Sequence, residues 1–130
     1  MNTVVDGALT IDRMMRSKER DREPTVSGFT PDELYERYNV ITEGRELFGS
    51  NLIPLAYDPV WAMALGLNNS SKFLRKRGLG RLEDFSYTDA QMTEAMMEGL
   101  KNVSFIGLKG YMEFDEDQDG VDDILIKQIR

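Results

Sequence analysis

Pro54-Leu55-Ala56-Tyr57-Asp58-Pro59-Val60-Trp61-Ala62-Met63-Ala64-Leu65-Gly66-Leu67 is the stretch whose physical character constrains the fold most. Val60, Trp61, Ala64, Leu65 and Leu67 are apolar, and Ala62 and Met63 leave almost no polar face. A helix apolar all round is expected to be buried in a larger body. Asp58 followed by Pro59 suggests where it starts, with the carboxylate as cap and the proline in the first turn. Gly66 weakens such a helix by about 1 kcal/mol relative to Ala, and a residue that small permits close packing.

Upstream, Thr30-Pro31-Asp32-Glu33 is a strong helix start. Thr30 can cap, Pro31 suits the first helical position and Glu33 completes a capping box. Leu34, Tyr35, Tyr38 and Ile41 then share one helical face. Nearer the start of the chain, Val4, Val5 and Leu9 suggest a short strand with a turn at Asp6-Gly7. Charges of both signs from Asp12 to Glu23 suggest a loop or an exposed helical turn.

Downstream, Gly78 and Gly80 mark a loop, and Thr88-Asp89 can cap a further helix bearing Met92, Ala95, Met96 and Leu100. Those methionines are read as core filler, because a flexible thioether fills irregular gaps. Gly107 and Gly110 punctuate the chain before a strand at Tyr111 to Phe114. The run from Ile124 to Ile129 is a second strand or a helix start, and the sequence stops at Arg130 within it, so a longer parent protein is expected.

Hydrophobic residues make up 41% and charged residues 30%, which favours a packed chain over a disordered one. Sixteen basic against 23 acidic side chains give a net charge of −7, which argues against nucleic acid as a partner. The basic run Lys72, Arg75, Lys76, Arg77 and Arg81 is read as a solvated helix end and loop. The sequence has no Cys and no His, which excludes disulfides, Cys-ligated zinc and Ser-His-Asp or Cys-His catalysis within it. No nucleophile, base and orienter can be assembled, so the protein is read as a non-enzyme. Met1 does not open a secretory signal, and the apolar stretch Val60 to Leu67 is far below membrane-spanning length.

Two further patterns carry chemistry. Asn68-Asn69-Ser70, Asn69-Ser70-Ser71 and Asn102-Val103-Ser104 have the acceptor pattern for N-glycosylation at Asn68, Asn69 and Asn102. Asp115, Asp117, Asp119 and Asp123 take positions 1, 3, 5 and 9 of a calcium loop, with Gly120 at the sharp turn. The full twelve-residue loop fails, because position 12 is Ile126 instead of a bidentate Glu. An acidic turn between two strands explains the same residues, so calcium is the one cofactor the sequence raises.

The order of these segments supports a resemblance. Residues 54–65 resemble the PLAYDAxWALAL stretch of the ectodomains of metabotropic GABA (GABA-B) receptors, which are class C G-protein-coupled receptors. Arg81-Leu82-Glu83-Asp84-Phe85-Ser86-Tyr87 resembles their RLEDFNY segment. Ser104-Phe105-Ile106-Gly107-Leu108-Lys109-Gly110 resembles their SFxGVxG turn, and Glu113-Phe114-Asp115 their VFD strand end. The resemblance implies an α/β fold, the C-terminal portion of a two-lobed type I periplasmic-binding-protein-like domain. Residues 1–130 would be part of one such region, incomplete here, with the lobe crossover and parts of both lobes. It implies a small amino-acid-like ligand (GABA or an analogue) sensed by lobe closure. It also implies a second receptor subunit, a G protein engaged through a transmembrane part, and a parent receptor on the extracellular side of the cell membrane.

By the same resemblance Tyr57 and Asp58 stand near the ligand site, a role for Asp58 that does not exclude capping. The family's agonist-contacting Glu, two residues before the motif proline, is Leu52 here, which has no charge to pair with an ammonium. This subunit either acts as the partner that does not bind agonist or takes a different ligand. A soluble solute-binding protein of the same fold and a calcium-binding interaction module are the alternatives.

Overall fold

The computed structural model describes residues 7–13, 23–45, 52–117, 119–120 and 124–128. Val4, Val5, Asp6, Asp123 and Ile129 lie outside them. The elements in chain order are strand β1 (Leu9–Arg13), helix α1 (Pro31–Ile41), helix α2 (Ile53–Arg77), a 3-10 turn (Leu82–Asp84), helix α3 (Ala90–Lys101) and strands β2 (Ser104–Ile106), β3 (Tyr111–Glu113) and β4 (Ile124–Gln128). The mixture of helix and strand agrees with the α/β class.

Helix α1 begins as its sequence dictates. The Thr30 hydroxyl accepts from the Glu33 N–H at 3.3 Å, and the Glu33 carboxylate accepts from the Thr30 N–H at 2.8 Å. Two orphan donors of the first turn are thereby satisfied, and Pro31 removes a third by having no N–H. The helix ends where the Thr42 hydroxyl donates back to the Tyr38 carbonyl at 3.0 Å.

Helix α2 departs from its expected start. It runs 25 residues from Ile53, so Asp58 lies inside it and is not its cap. Pro54 occupies the first turn, the place that suits proline because an N–H there has no intrahelical partner. Pro59 sits inside the helix, which continues through it. At the far end Gly78 adopts a left-handed φ of 67° and the Leu79 N–H reaches the Leu74 carbonyl at 3.0 Å, closing the helix.

The burial of α2 also differs from the expectation of an all-round buried helix. Pro54, Asp58, Ala62, Gly66, Ser70 and Leu74 are buried, one row at every fourth residue. The bulkier Val60, Met63 and Leu67 are 62%, 59% and 42% exposed. The described residues cover one side of the helix, and the side they cover is the one made of small side chains.

Small side chains are what the partner helix demands. A Cβ added to Gly99 of α3 would stand 2.6 Å from the Ser70 nitrogen and 2.8 Å from the Gly66 carbonyl oxygen. A Cβ added to Gly66 would run into the Leu100 side chain. The Ser70 hydroxyl, fully buried, lies 2.7 Å from the Gly66 carbonyl and 3.1 Å from the Met96 carbonyl of α3. Below this contact Leu74, Met92 and Ala95 form an apolar cluster with Phe73, Leu79, Leu82 and Phe85 around it. Met92 is thus the core filler its spacing suggested. At the rim Arg77 pairs with Glu98 and, at 3.9 Å, with Glu94.

A second cluster (Ala62, Val103 and Phe105, with Trp61, Leu65, Met112 and Phe114 against it) joins α2 to an antiparallel pair, β2 with β3. Phe105 faces Met112 across that pair. Strand β4 pairs antiparallel with β1, Leu9 opposite Gln128 and Arg13 opposite Ile124. Asp12 and Arg13 therefore belong to a strand and not to the loop that their charges suggested. Their backbone partners are more than a hundred residues away, and local composition carries no trace of them.

Two outcomes are expected. Gly99→Ala should destabilise the fold by about 1–3 kcal/mol through overpacking, read as a lowered unfolding midpoint, whereas Met97→Ala on the exposed side of α3 should shift it far less. The Glu33 carboxyl is held below its ordinary value of 4.5, first by the Thr30 N–H and then by the Thr30 hydroxyl. Such a group stabilises the fold above its unfolded pKa, and the contribution is lost as pH falls through the lower folded value. The protection of first-turn amides of α1, measured as exchange relative to the intrinsic rate at each pH, should accordingly fall below pH 4.5, and a Glu33→Gln variant should lose that pH dependence.

Candidate functional site

Asp58 has no exposed surface, and a buried carboxylate must find donors or lose its charge. It finds them in the turn between β2 and β3. One oxygen accepts from the Leu108 N–H at 2.7 Å and the other from the Lys109 N–H at 3.1 Å. Gly107 gives the carboxylate room to reach them, since a Cβ there would lie 2.5 Å from the Asp58 Cγ. The Gly107 N–H donates to the Gly110 carbonyl at 2.7 Å, and Gly110 takes a φ of 129°, which an L side chain rarely adopts. The two glycines and the aspartate together fix the turn.

The turn thus held presents Leu108 to a cleft of about 380 Å³ between α1 and α2. Tyr35 and Tyr38 of α1 and Ile53, Tyr57 and Trp61 of α2 form its other main walls. That volume lies within the range of small-molecule sites, which are concave and largely apolar with a few polar groups. Tyr57 and Trp61 stack at a tilt with ring centroids 6.4 Å apart. The Tyr57 hydroxyl is 3.2 Å from the Thr25 hydroxyl, which donates to the Phe29 carbonyl at 2.9 Å. The Val26 N–H bonds the Ile106 carbonyl at 2.8 Å. Residues 25–29 are tied in this way to α2 and to β2, and they deliver α1 to the cleft. At the mouth the Arg37 guanidinium lies 3.9 Å over the Phe29 ring, a cation–π contact.

The residues singled out from sequence separate accordingly. Tyr57 lines the cleft; Asp58 does not, and its carboxylate faces the turn. Leu52 is exposed at the start of α2. Asn68 and Asn102 are exposed and Asn69 is half-buried. Asp115, Asp117 and Asp119 are exposed. The Asp115 carboxylate accepts from the Asp119 N–H at 2.8 Å, and the Asp115 N–H reaches the Asp119 carbonyl at 2.9 Å. These two bonds close the loop between Asp115 and Asp119 locally. Among the described residues no group of three or more acidic side chains could hold a metal ion. Asp123 lies outside them.

Sequence reasoning missed Thr25, Leu108, Gly99 and Ser70. Gly107 and Gly110 read from sequence as punctuation and as part of a family turn, and neither reading points to Asp58 as the group that the turn binds. No helix among the described residues is long and apolar enough to cross a membrane.

Residues 6–129 match the receptor family ligand binding region. The chain is 31% identical over 132 residues to gamma-aminobutyric acid type B receptor subunit 1 of Mus musculus and of Rattus norvegicus, a match that covers 100% of this chain and 13% of each relative. It is 29% identical over 91 residues to gamma-aminobutyric acid type B receptor subunit 2 of Homo sapiens, covering 69% of this chain and 10% of that protein. The chain therefore spans about an eighth of the length of the relatives it matches most fully (13%). With its motifs, its turn and its near-complete match in agreement, the chain belongs to the receptor-family ligand-binding region, as a GABA-B-like segment of a class C G-protein-coupled receptor.

Proposed function

We propose that this chain is part of the extracellular ligand-binding region of a GABA-B-like receptor subunit, which senses a small amino-acid-type ligand by closure of two lobes. The observation that carries the reading is the cleft between α1 and α2, whose wall at Leu108 is set by the buried Asp58 carboxylate. Its aromatic lining suits the apolar body of a small ligand, and Tyr57 adds a hydroxyl at its edge. Asp58 acts at one remove, as the residue that positions the wall.

Leu52 stands where the family has an agonist-contacting Glu. Neither it nor the enclosed Asp58 carboxylate is available to pair with a ligand ammonium. An unpaired charge in a desolvated site is costly, so GABA itself is expected to bind at a second subunit. The present subunit would serve as the heterodimer partner or take an amino-acid analogue with a larger apolar part. Coupling to a G protein would run through a membrane-spanning part of the same receptor. The receptor names of the relatives favour this reading over a soluble solute-binding protein.

Titration of GABA and of aryl-substituted amino acids into the complete ectodomain tests the reading. Trp61→Ala is expected to weaken binding of the apolar analogue by at least about tenfold, the equivalent of 1.4 kcal/mol. Unchanged affinity in a folded variant would remove the cleft as the ligand site. Asp58→Asn replaces an acceptor with an amide N–H facing backbone donors. It should cost about 1–3 kcal/mol of stability and lower surface expression before it alters affinity.

A further inference from the structure

Helix α2 carries two overlapping acceptor sequons, Asn68-Asn69-Ser70 and Asn69-Ser70-Ser71, and their asparagines meet different surroundings. Asn68 is exposed, and its side chain makes no hydrogen bond among the described residues. Asn69 is half-buried against the C-terminal end of α3. Its amide nitrogen donates to the Gly99 carbonyl at 3.5 Å and to the Asn102 carbonyl at 3.4 Å, and its carbonyl oxygen accepts from Lys72 at 3.4 Å. A primary amide has two N–H groups, and here one meets the last turn of α3 and the other the Asn102 carbonyl just past it.

N-glycosylation forms a bond from the first sugar carbon to Nδ2. One amide proton leaves, and the lipid diphosphate of the donor oligosaccharide departs. The product amide keeps a single N–H. On exposed Asn68 it breaks no hydrogen bond among the described residues. On Asn69 it removes one of the two bonds to α3 and sets a sugar where the helix end lies, beside the Gly66, Ser70 and Gly99 contact that joins the two helices. Because the sugar is added to the unfolded chain, a molecule modified at Asn69 must close α3 onto α2 with one bond fewer and a sugar at the half-buried contact.

We propose that Asn68 and not Asn69 carries the glycan of this double sequon in the folded, exported protein, an inference that rests on the extracellular reading above. Asn102 is an independent acceptor. It is exposed, and its amide makes one bond, to the Glu98 carbonyl at 2.8 Å. It therefore reports whether the segment meets the glycosylation machinery at all.

The test is site-resolved occupancy in the full receptor subunit that contains this chain. Surface protein is captured, deglycosylated enzymatically in heavy-oxygen water and read by peptide mass spectrometry. Label at position 68 with none at 69 is expected, as is one fewer glycan in surface protein carrying Asn68→Gln. Asn69→Gln, which keeps the Asn68 sequon intact, should retain the label at 68. Label at 69, or an unchanged glycan number in Asn68→Gln, overturns the proposal. Label at 102 without label at 68 overturns it while leaving the extracellular reading standing. Absence of label at all three positions overturns the proposal and removes support from that reading.

Discussion

A carboxylate sealed from water inside a helix needs two donors that do not move, and Asp58 obtains them from consecutive backbone N–H groups at Leu108 and Lys109. Bonds to a charged acceptor are about twice as strong as neutral ones. They link residues some fifty positions apart, so they couple α2 to the turn of the β2–β3 pair. Everything near the cleft depends on that link. The turn holds Leu108 in the wall, and the adjoining Ile106 carbonyl anchors Val26. The segment from Thr25 to Phe29 then brings α1 into place. Gly107 is required by the same interaction, because any larger residue would fill the space the carboxylate enters.

The other constraint is the approach of α2 to α3. Most helix pairs meet through interlocking side chains; here backbones meet at Gly66 and Gly99, with the Ser70 hydroxyl seated between them. Glycine inside a helix costs about 1 kcal/mol against alanine. The loss is offset by the close contact it admits, and by the Leu74 and Met92 cluster that this contact aligns. It also explains why the buried row of α2 is so poor in large apolar residues. Those residues, Val60, Met63 and Leu67, turn outward instead.

The two halves of α2 make different kinds of contact. Its C-terminal half is locked to α3 by the glycine contact and by Arg77 with Glu94 and Glu98. Its N-terminal half faces the cleft, where Tyr57, Thr25 and Phe29 connect it to the segment that leads into α1.

Much of the local structure was determined by the sequence alone. The capping box at Thr30 and Glu33, the helix cap at Asp89, the glycine stop at Gly78 and the strand at Tyr111 are short-range devices. Their partners lie within a turn or two, so residue identity suffices. The motifs from Pro54 to Asp115 also sufficed to indicate the receptor family. The role of Asp58 was another matter. Asp before Pro is a sound helix start by local rules, and only the tertiary fold shows that Pro54 has already begun the helix and that the carboxylate serves a turn far along the chain. Strand β1 is the same case, since Asp12 and Arg13 look like loop until β4 supplies their hydrogen bonds. So too is the choice between Asn68 and Asn69, identical in motif and separated by which one faces the end of α3. Local chemistry is written in neighbouring residues. Burial and long-range pairing are decided only when distant segments compete for the same space and the same backbone donors.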